Sequence, residues 1–267
     1  MSVRPPHAVE RLRAELKSAS TRPFKARGAR LQRCPGCLLA AHACVCSWRP
    51  QLDSQVGFCL IMHPLEPLKP TNTGRLIADC ITDTHAFVWS RTSVDPALLE
   101  LLKDPQWQAY VVFPAEYAQA GQPVVDTIKP DGGKRPLLII FDATWTQARK
   151  MFRKSPWLDG LPILSLQTEQ LSRYRLRRST REEHLCTVEV ATACLGLAGE
   201  AAGANLLNDY FDVFTDAYLA SRGNCAATAE LPSRQRLAEH LGVSAQISDG
   251  PQALAAQSPD CGAGPDK

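Results

Sequence analysis

Leu137-Leu138-Ile139-Ile140-Phe141-Asp142-Ala143-Thr144-Trp145 is the stretch that decides the fold. Five apolar residues in a row leave no polar side chain to face water. The run therefore reads as a strand covered on both faces, the usual state in a mostly parallel sheet. Asp142 stands at the mouth of that strand, where ligands gather in such sheets. Two readings of its carboxylate are open: a group placed for chemistry, or the N-cap of a helix over Thr146 to Phe152.

Outward from this stretch, Val56 to Met62, Ala86 to Trp89, Ala109 to Phe113 and Ile163 to Leu166 also read as short strands rich in branched or aromatic residues. Helical patterns lie between and after them. Asp95 and Pro96 open a helix that runs to Lys103, and Glu182 to Leu197 sets Leu185, Val188, Thr192 and Leu195 on one face. Leu206, Leu207, Tyr210, Phe211, Phe214 and Tyr218 recur at helical spacing as a core stripe. Strands alternating with helices predict an α/β domain over residues 52–222. A basic N-terminal extension, residues 1–29, and a cysteine-rich segment, residues 30–51, precede it. The tail, residues 223–267, is rich in Ala, Ser, Gly and Pro, and its last twenty residues are expected to be disordered.

Cys34, Cys37, Cys44 and Cys46 form C-x-x-C followed by C-x-C in a turn-rich stretch carrying Pro35 and Gly36. Four thiolates so close together satisfy a tetrahedral zinc ion and leave no open position for a catalytic water, so the expected metal is structural. His42 is a bystander beside a filled shell. Disulfides and an iron-sulfur cluster on the same thiolates are the competing readings. The other six cysteines are scattered, as in a reducing compartment.

With 267 residues, 45% of them hydrophobic, the chain can bury a full core. No apolar run approaches the roughly 18 residues needed to span a bilayer, and the N-terminus lacks the apolar core of a secretory signal. A soluble, cytoplasmic protein that does not engage membranes is expected, with no obligate protein partner evident. Glu10 and Glu15, at helical spacing with basic residues, indicate a short amphipathic helix rather than a transit peptide.

The net charge of +3 is unevenly spread. Residues 1–50 hold ten Lys or Arg against Glu10 and Glu15. Residues 147–181 hold nine, among them Arg149, Arg153 and Arg175, against Asp159 and Glu169. Either segment alone can be a solvated face. Two of them, one beside a metal cluster and one just after the candidate acid, favour a polyanion laid across both, with phosphate contacts supplying affinity.

Three further segments fall at strand ends or helix starts. His63-Pro64-Leu65-Glu66 with Thr71-Asn72-Thr73-Gly74-Arg75 follows the first strand and can line a cleft, although Asn72 or Thr73 can equally be a cap. Phe113-Pro114-Ala115-Glu116 ends the third strand. Ser179 to Glu189 opens a helix whose free N–H groups suit a carboxylate or a ribose hydroxyl, or else forms a capping box. There is no G-x-G-x-x-G or G-x-x-x-x-G-K-[ST] loop, so a Rossmann dinucleotide site or a P-loop is not supported.

Asp142-Ala143-Thr144-Trp145 after an apolar strand resembles the D-x-T-W signature of the DTW-domain proteins, the tRNA-uridine aminocarboxypropyltransferases. The cysteine cluster, the His63-Pro64-x-Glu66 and Thr71-Asn72-Thr73-Gly74 segments, and Ser179 with Leu185 to Glu189 agree with that family in content and order, over about residues 30–220. The resemblance implies a mostly parallel sheet similar to the SPOUT class of RNA methyltransferases, in which a C-terminal knot occurs. It also implies transfer of the 3-amino-3-carboxypropyl group of S-adenosylmethionine to N3 of a tRNA uridine, typically position 47, leaving methylthioadenosine. A SPOUT-like N-methyltransferase and a non-catalytic zinc-ribbon RNA-binding protein remain as alternatives.

With that resemblance, Asp142 is the expected general base for the N3 proton, aided by desolvation at the strand end. Pro114, Ala115, Ser179, Thr187 and Glu189 are expected around the cofactor. Thr144, Trp145, His63, Glu66, Asn72, Thr73, Arg149, Arg153 and Arg175 are expected around the RNA. Trp145 either stacks on a base or anchors the following helix from the core.

Overall fold

In the computed structural model, described at residues 4–21, 24, 31–129, 131–166, 185–223 and 231–242, the chain divides into two compact units. The first comprises residues 1–26 and 50–208, the second residues 27–49 and 209–267.

The first unit is built on a six-stranded sheet in the order β2-β1-β5-β3-β6-β4, parallel at every pairing. The strands are β1 (Gly57–Met62), β2 (Thr84–Val88), β3 (Trp107–Val112), β4 (Val124–Val125), β5 (Arg135–Asp142) and β6 (Ile163–Leu164). Every residue of β1, and Leu137 to Asp142 of β5, is buried, as the apolar run requires of a strand covered on both faces. Side-chain alternation then divides the layers. Cys59, Ile61, Leu137, Ile139 and Phe141 point to one face and join Leu98 of α3 (Pro96–Lys103) and Ala148, Met151 and Phe152 of α4 (Trp145–Arg153) in one core. Residues of the opposite parity serve the other face, where α2 (Gly74–Cys80) and α5 (Thr187–Leu197) pack on each other and α5 meets β5. Asp142 has that second parity.

The loop-forming segment after β1 does not stay a loop. Two residues beyond Asn72 it enters α2, all seven of whose residues are buried. A basic N-terminal helix, α1 (Ala8–Ala19), belongs to this unit, burying Ala8, Val9 and Leu12 and packing against α2 and β2. Its approach is fixed by Arg4, whose guanidinium donates to the carbonyls of Ala78 (2.9 Å) and Asp79 (2.7 Å), the last turn of α2. His7 Nε2 lies 3.2 Å from the Asp79 carboxylate, and Arg75 meets the other Asp79 oxygen at 3.5 Å. The extension thus grips the end of α2 remote from Asn72.

The second unit carries the cysteine segment, the later part of α6 (Ala201–Gly223), and α7 (Pro232–Leu241). Helix α7 stands where only a tail is expected. Arg234 is buried over the Trp48 ring, 5.3 Å from its centroid. Asp209 accepts from Arg236 Nε (3.3 Å) and meets His240 Nδ1 (2.6 Å), while Arg236 Nη2 reaches Asp212 at 2.9 Å. The last twenty residues, and the segment 167–184 through which a knot would be traced, lie outside the described residues. No described helix is long and apolar enough to cross a membrane.

Candidate active site and cysteine cluster

Strand parity sets the first fact of the site: Phe141 faces α4, so Asp142 turns to the face of α2 and α5. Its carboxylate cannot then cap α4, the helix that follows it. Thr144 caps α4 instead, in a capping box with Gln147: Gln147 Oε1 accepts from the Thr144 N–H (3.0 Å) and hydroxyl (2.7 Å). The N-cap reading of Asp142 is thereby corrected.

Asp142 is fully buried. Asn72 Nδ2 donates to its Oδ2 at 2.5 Å, and the Thr187 hydroxyl donates to its Oδ1 at 2.6 Å. Asn72 Oδ1 accepts from the Arg75 N–H at 2.9 Å, which dictates that the NH₂ end of the amide faces the carboxylate. One acid therefore ties the end of β5 to the starts of α2 and α5. Charge-assisted bonds of this kind are among the stronger ones in proteins. The Asp142 carbonyl accepts from the His63 N–H (3.0 Å), extending the β1–β5 ladder one step past Met62.

Gly74 belongs to this tie. A Cβ there would lie 2.5 Å from Asp142 Oδ2 and 3.0 Å from its Cγ, inside van der Waals contact. Gly74→Ala is expected to push the carboxylate off Asn72 and Thr187 and, on the assignment of Asp142 as proton acceptor proposed below, to lower turnover by at least about tenfold. Steady-state rates of the folded variant check this; wild-type rates would mean that the carboxylate position does not matter.

His63 stands beside the tie, half-buried, with Nε2 3.1 Å from Gln147 Nε2. Because Thr144 engages the Gln147 oxygen, the amide N–H groups face the imidazole, which accepts only when neutral. Burial, then the Lys69 cation, lowers the His63 pKa and favours that neutral form. Gln147 thus joins β1 to α4. Sequence reading missed it, although the Thr144-x-x-Gln147 spacing is the capping-box signature.

Trp145 is half-buried and stacks on Phe113 at 5.4 Å and 19°. Tyr117 meets it edge-on at 5.7 Å, and the Arg149 guanidinium lies 5.9 Å from its ring centroid. Phe113 also stacks on Phe152 at 4.5 Å, so Trp145 forms the outer layer of an aromatic pile that anchors α4. Pro114 and Ala115 follow β3 next to that pile, and the Ala115 N–H donates to Ser165 Oγ (3.1 Å).

Thr73 and Glu66 are buried in the segment after β1, where Glu66 Oε1 takes Lys69 Nζ at 2.6 Å. Glu189 holds its own helix: its carboxylate accepts from the Cys186 N–H at 2.7 Å as the far half of a capping box. Arg153 is exposed near the end of α4. Asn72, expected on the RNA, and Thr187, expected at the cofactor, both touch Asp142. Ser179 and Arg175 lie outside the described residues.

These groups converge at the carboxyl ends of β1, β3 and β5. At the opposite ends of the strands a depression of about 520 Å³ is lined by residues 51–55, 81–83 and Arg135. Arg135 there is committed to Asp83 (2.5 Å) and to the carbonyls of Ser54 and Gln55, and none of the candidate site residues lines it.

In the second unit Cys34, Cys37, Cys44 and Cys46 bring their sulfurs within 4.8 Å of one another. Sγ separations of 3.4 Å (Cys34 to Cys44), 3.6 Å (Cys34 to Cys46) and 3.8 Å (Cys37 to Cys44) are far beyond the ~2.05 Å of a disulfide. They match the edge of about 3.8 Å that a tetrahedron with bonds of about 2.3 Å requires, so the set fits zinc. The local turn is shaped for it. Leu38 adopts φ +62, its N–H bonding the Cys34 carbonyl, and Leu39 returns its carbonyl to the Cys34 N–H, both at 2.9 Å. At Gly36 a Cβ would lie 3.0 Å from the Cys46 sulfur.

A family model for the DTW domain matches residues 31–219. Among curated proteins, the chain is similar to tRNA-uridine aminocarboxypropyltransferase 2 of Macaca fascicularis, 27% identical over 176 residues that make up 63% of this chain and 57% of that protein. It is also similar to the protein of that name from Mus musculus, 25% identical over the same shares. The chain thus spans under two thirds of the length of the curated relatives it matches. No solved structure matches it. With the family model covering most of the chain, and its signature Asp-x-Thr-Trp standing at the end of the central parallel strand, this protein belongs to the DTW-domain family.

Proposed function

We propose that this protein transfers the 3-amino-3-carboxypropyl group of S-adenosylmethionine to N3 of a uridine in tRNA, with position 47 of the variable loop as the expected target. The observation that carries the reading is Asp142, a fully buried carboxylate at the carboxyl edge of a parallel sheet, oriented by Asn72 and Thr187. The names of the relatives support the substrate and the group transferred.

Neutral uridine carries a proton on N3 and must lose it as N3 bonds to carbon. Asp142 is the group assigned to receive it. A carboxylate offers roughly four acceptor positions, and the bonds from Asn72 and Thr187 fix which way they face. Burial also keeps water from competing for the proton. A base extruded from its stack is the form in which N3 reaches such a carboxylate, and Trp145, with Tyr117 at its edge, offers an aromatic face for it.

The carboxylates of Asp142 and Glu189 together with the Trp145 ring suit a ligand that combines a sulfonium cation with a purine. Pro114, Ala115, Ser179, Thr187 and Glu189 are the residues assigned to that ligand. When bound, S-adenosylmethionine supplies the electrophilic carbon, its sulfur taking up the bonding pair as methylthioadenosine departs. His63, Glu66, Asn72, Thr73, Thr144, Trp145, Arg149, Arg153 and Arg175 are assigned to the RNA side, Asn72 through Asp142. Cys34, Cys37, Cys44 and Cys46 would hold a structural zinc ion, a closed sulfur set with no position for substrate.

The experiment is nucleoside analysis of unmodified tRNA after incubation with the protein and S-adenosylmethionine. Aminocarboxypropyl-uridine is expected; N3-methyluridine would replace this reading with a methyltransferase.

Affinity for the RNA is assigned to α4, which leads away from Asp142 with Lys150, Arg153 and Lys154 exposed. Arg153→Ala is expected to weaken tRNA binding and to flatten the slope of log affinity against log salt by about one. A titration with an unchanged slope would put this face in solvent.

A further inference from the structure

We propose that Asn72 is a positioning residue that acts through Asp142, holding the carboxylate in the one orientation from which it can take the N3 proton. The inference rests on the proton-acceptor reading of Asp142 given above.

Asn72 is 1% exposed and both ends of its amide are used. Its oxygen takes the Arg75 N–H in the first turn of α2, and its NH₂ group gives the 2.5 Å bond to Asp142 Oδ2. The amide therefore cannot swing or flip without losing two buried bonds. Gly74, two residues on, leaves the space in which the carboxylate sits. The far end of α2 is held in turn by Arg4, His7 and Arg75 around Asp79, so the helix that Asn72 precedes and bonds is fixed at both ends. Thr187 binds the other oxygen of Asp142 from α5. A carboxylate held on both oxygens is directed, and loses that direction when either donor goes.

Three variants separate positioning from bulk structure: Asn72→Ala, Asn72→Ser and the near-isosteric Asn72→Asp, each measured for kcat, KM for tRNA, pH–rate profile and melting temperature beside Asp142→Asn. Asn72→Ala and Asn72→Ser are expected to lower kcat about 10- to 100-fold with little change in KM. Asn72→Asp sets a second carboxylate against the first, so the two share a proton and the acid limb of the profile moves to higher pH by at least about one unit. A structural role alone would change melting and leave kcat per folded molecule of Asn72→Ala and Asn72→Ser in place.

If Asp142→Asn is inactive while all the folded Asn72 variants keep the wild-type kcat and profile, the positioning role is overturned and the proton-acceptor reading stands. If Asp142→Asn itself turns over at the wild-type rate, the proton-acceptor reading has fallen, and this inference with it.

Discussion

Asp142→Asn is expected to cut turnover by about 10²- to 10⁴-fold, the usual worth of a positioned general base, with tRNA affinity and melting temperature nearly unchanged. The asymmetry follows from the geometry. Asparagine has the shape of aspartate, and with its oxygen toward the Asn72 NH₂ and its own NH₂ toward the Thr187 hydroxyl, which rotates to accept, both buried contacts survive. The negative charge goes, and with it the capacity to take a proton. Rates per folded molecule, tRNA binding and thermal melts on one preparation check this. A large drop in melting with an unchanged rate would make Asp142 a structural tie alone.

Removal of metal is expected to have the largest effect on stability. Structural zinc binds zinc-finger peptides with an apparent ~10–16 kcal/mol, as much as the entire ~5–15 kcal/mol stability of an ordinary domain. The second unit also buries Leu39, Val45 and Trp48 with Tyr210, Phe211 and Phe214 of α6 and Leu237 of α7, but residues 31–49 themselves hold only short turns and single helical turns to keep the cysteines in place. Cys37→Ser, at a fully buried ligand position, or treatment with a strong chelator is expected to abolish cooperative melting of residues 31–49 with α7 and to expose this segment to proteolysis. Elemental analysis of the untreated protein is expected to give about one zinc per chain. A reduced, metal-free preparation that melts like the untreated one would contradict this.

The centre of the sheet was legible because β1 and residues 137–141 of β5 are apolar without interruption, as a doubly covered strand demands. Helix α3 was equally plain, with Asp95 accepting from the Ala97 N–H and Pro96 in its first turn. Strand β4 was not, since two valines flanked by Pro123 and Asp126 carry no pattern and pair only because β6 lies beside them. Helix α2 was hidden for another reason. Gly74 to Cys80 is only seven residues long and buried throughout, its polar pair Arg75 and Asp79 included, so it shows no amphipathic stripe, and Thr71-Asn72-Thr73 reads as a loop.

The site shows the same division. A carboxylate at the end of a buried strand was visible as a candidate, but which helix covers each face is a tertiary fact, and it decides whether Asp142 can cap α4. The pairings of Asp142 with Asn72, 70 residues away, and with Thr187, 45 residues away, are set by how α2 and α5 pack on one face. Trp145 carried two readings, and its stacking on Phe113 supports the anchoring one.

The most direct test of the central claim is the fate of the donor: the purified protein is incubated with S-adenosylmethionine and unmodified tRNA, and the adenosine coproduct is identified by mass spectrometry. Methylthioadenosine, formed in step with aminocarboxypropyl-uridine and absent with Asp142→Asn, is the predicted result. S-adenosylhomocysteine, or neither coproduct across a broad tRNA pool, would contradict it.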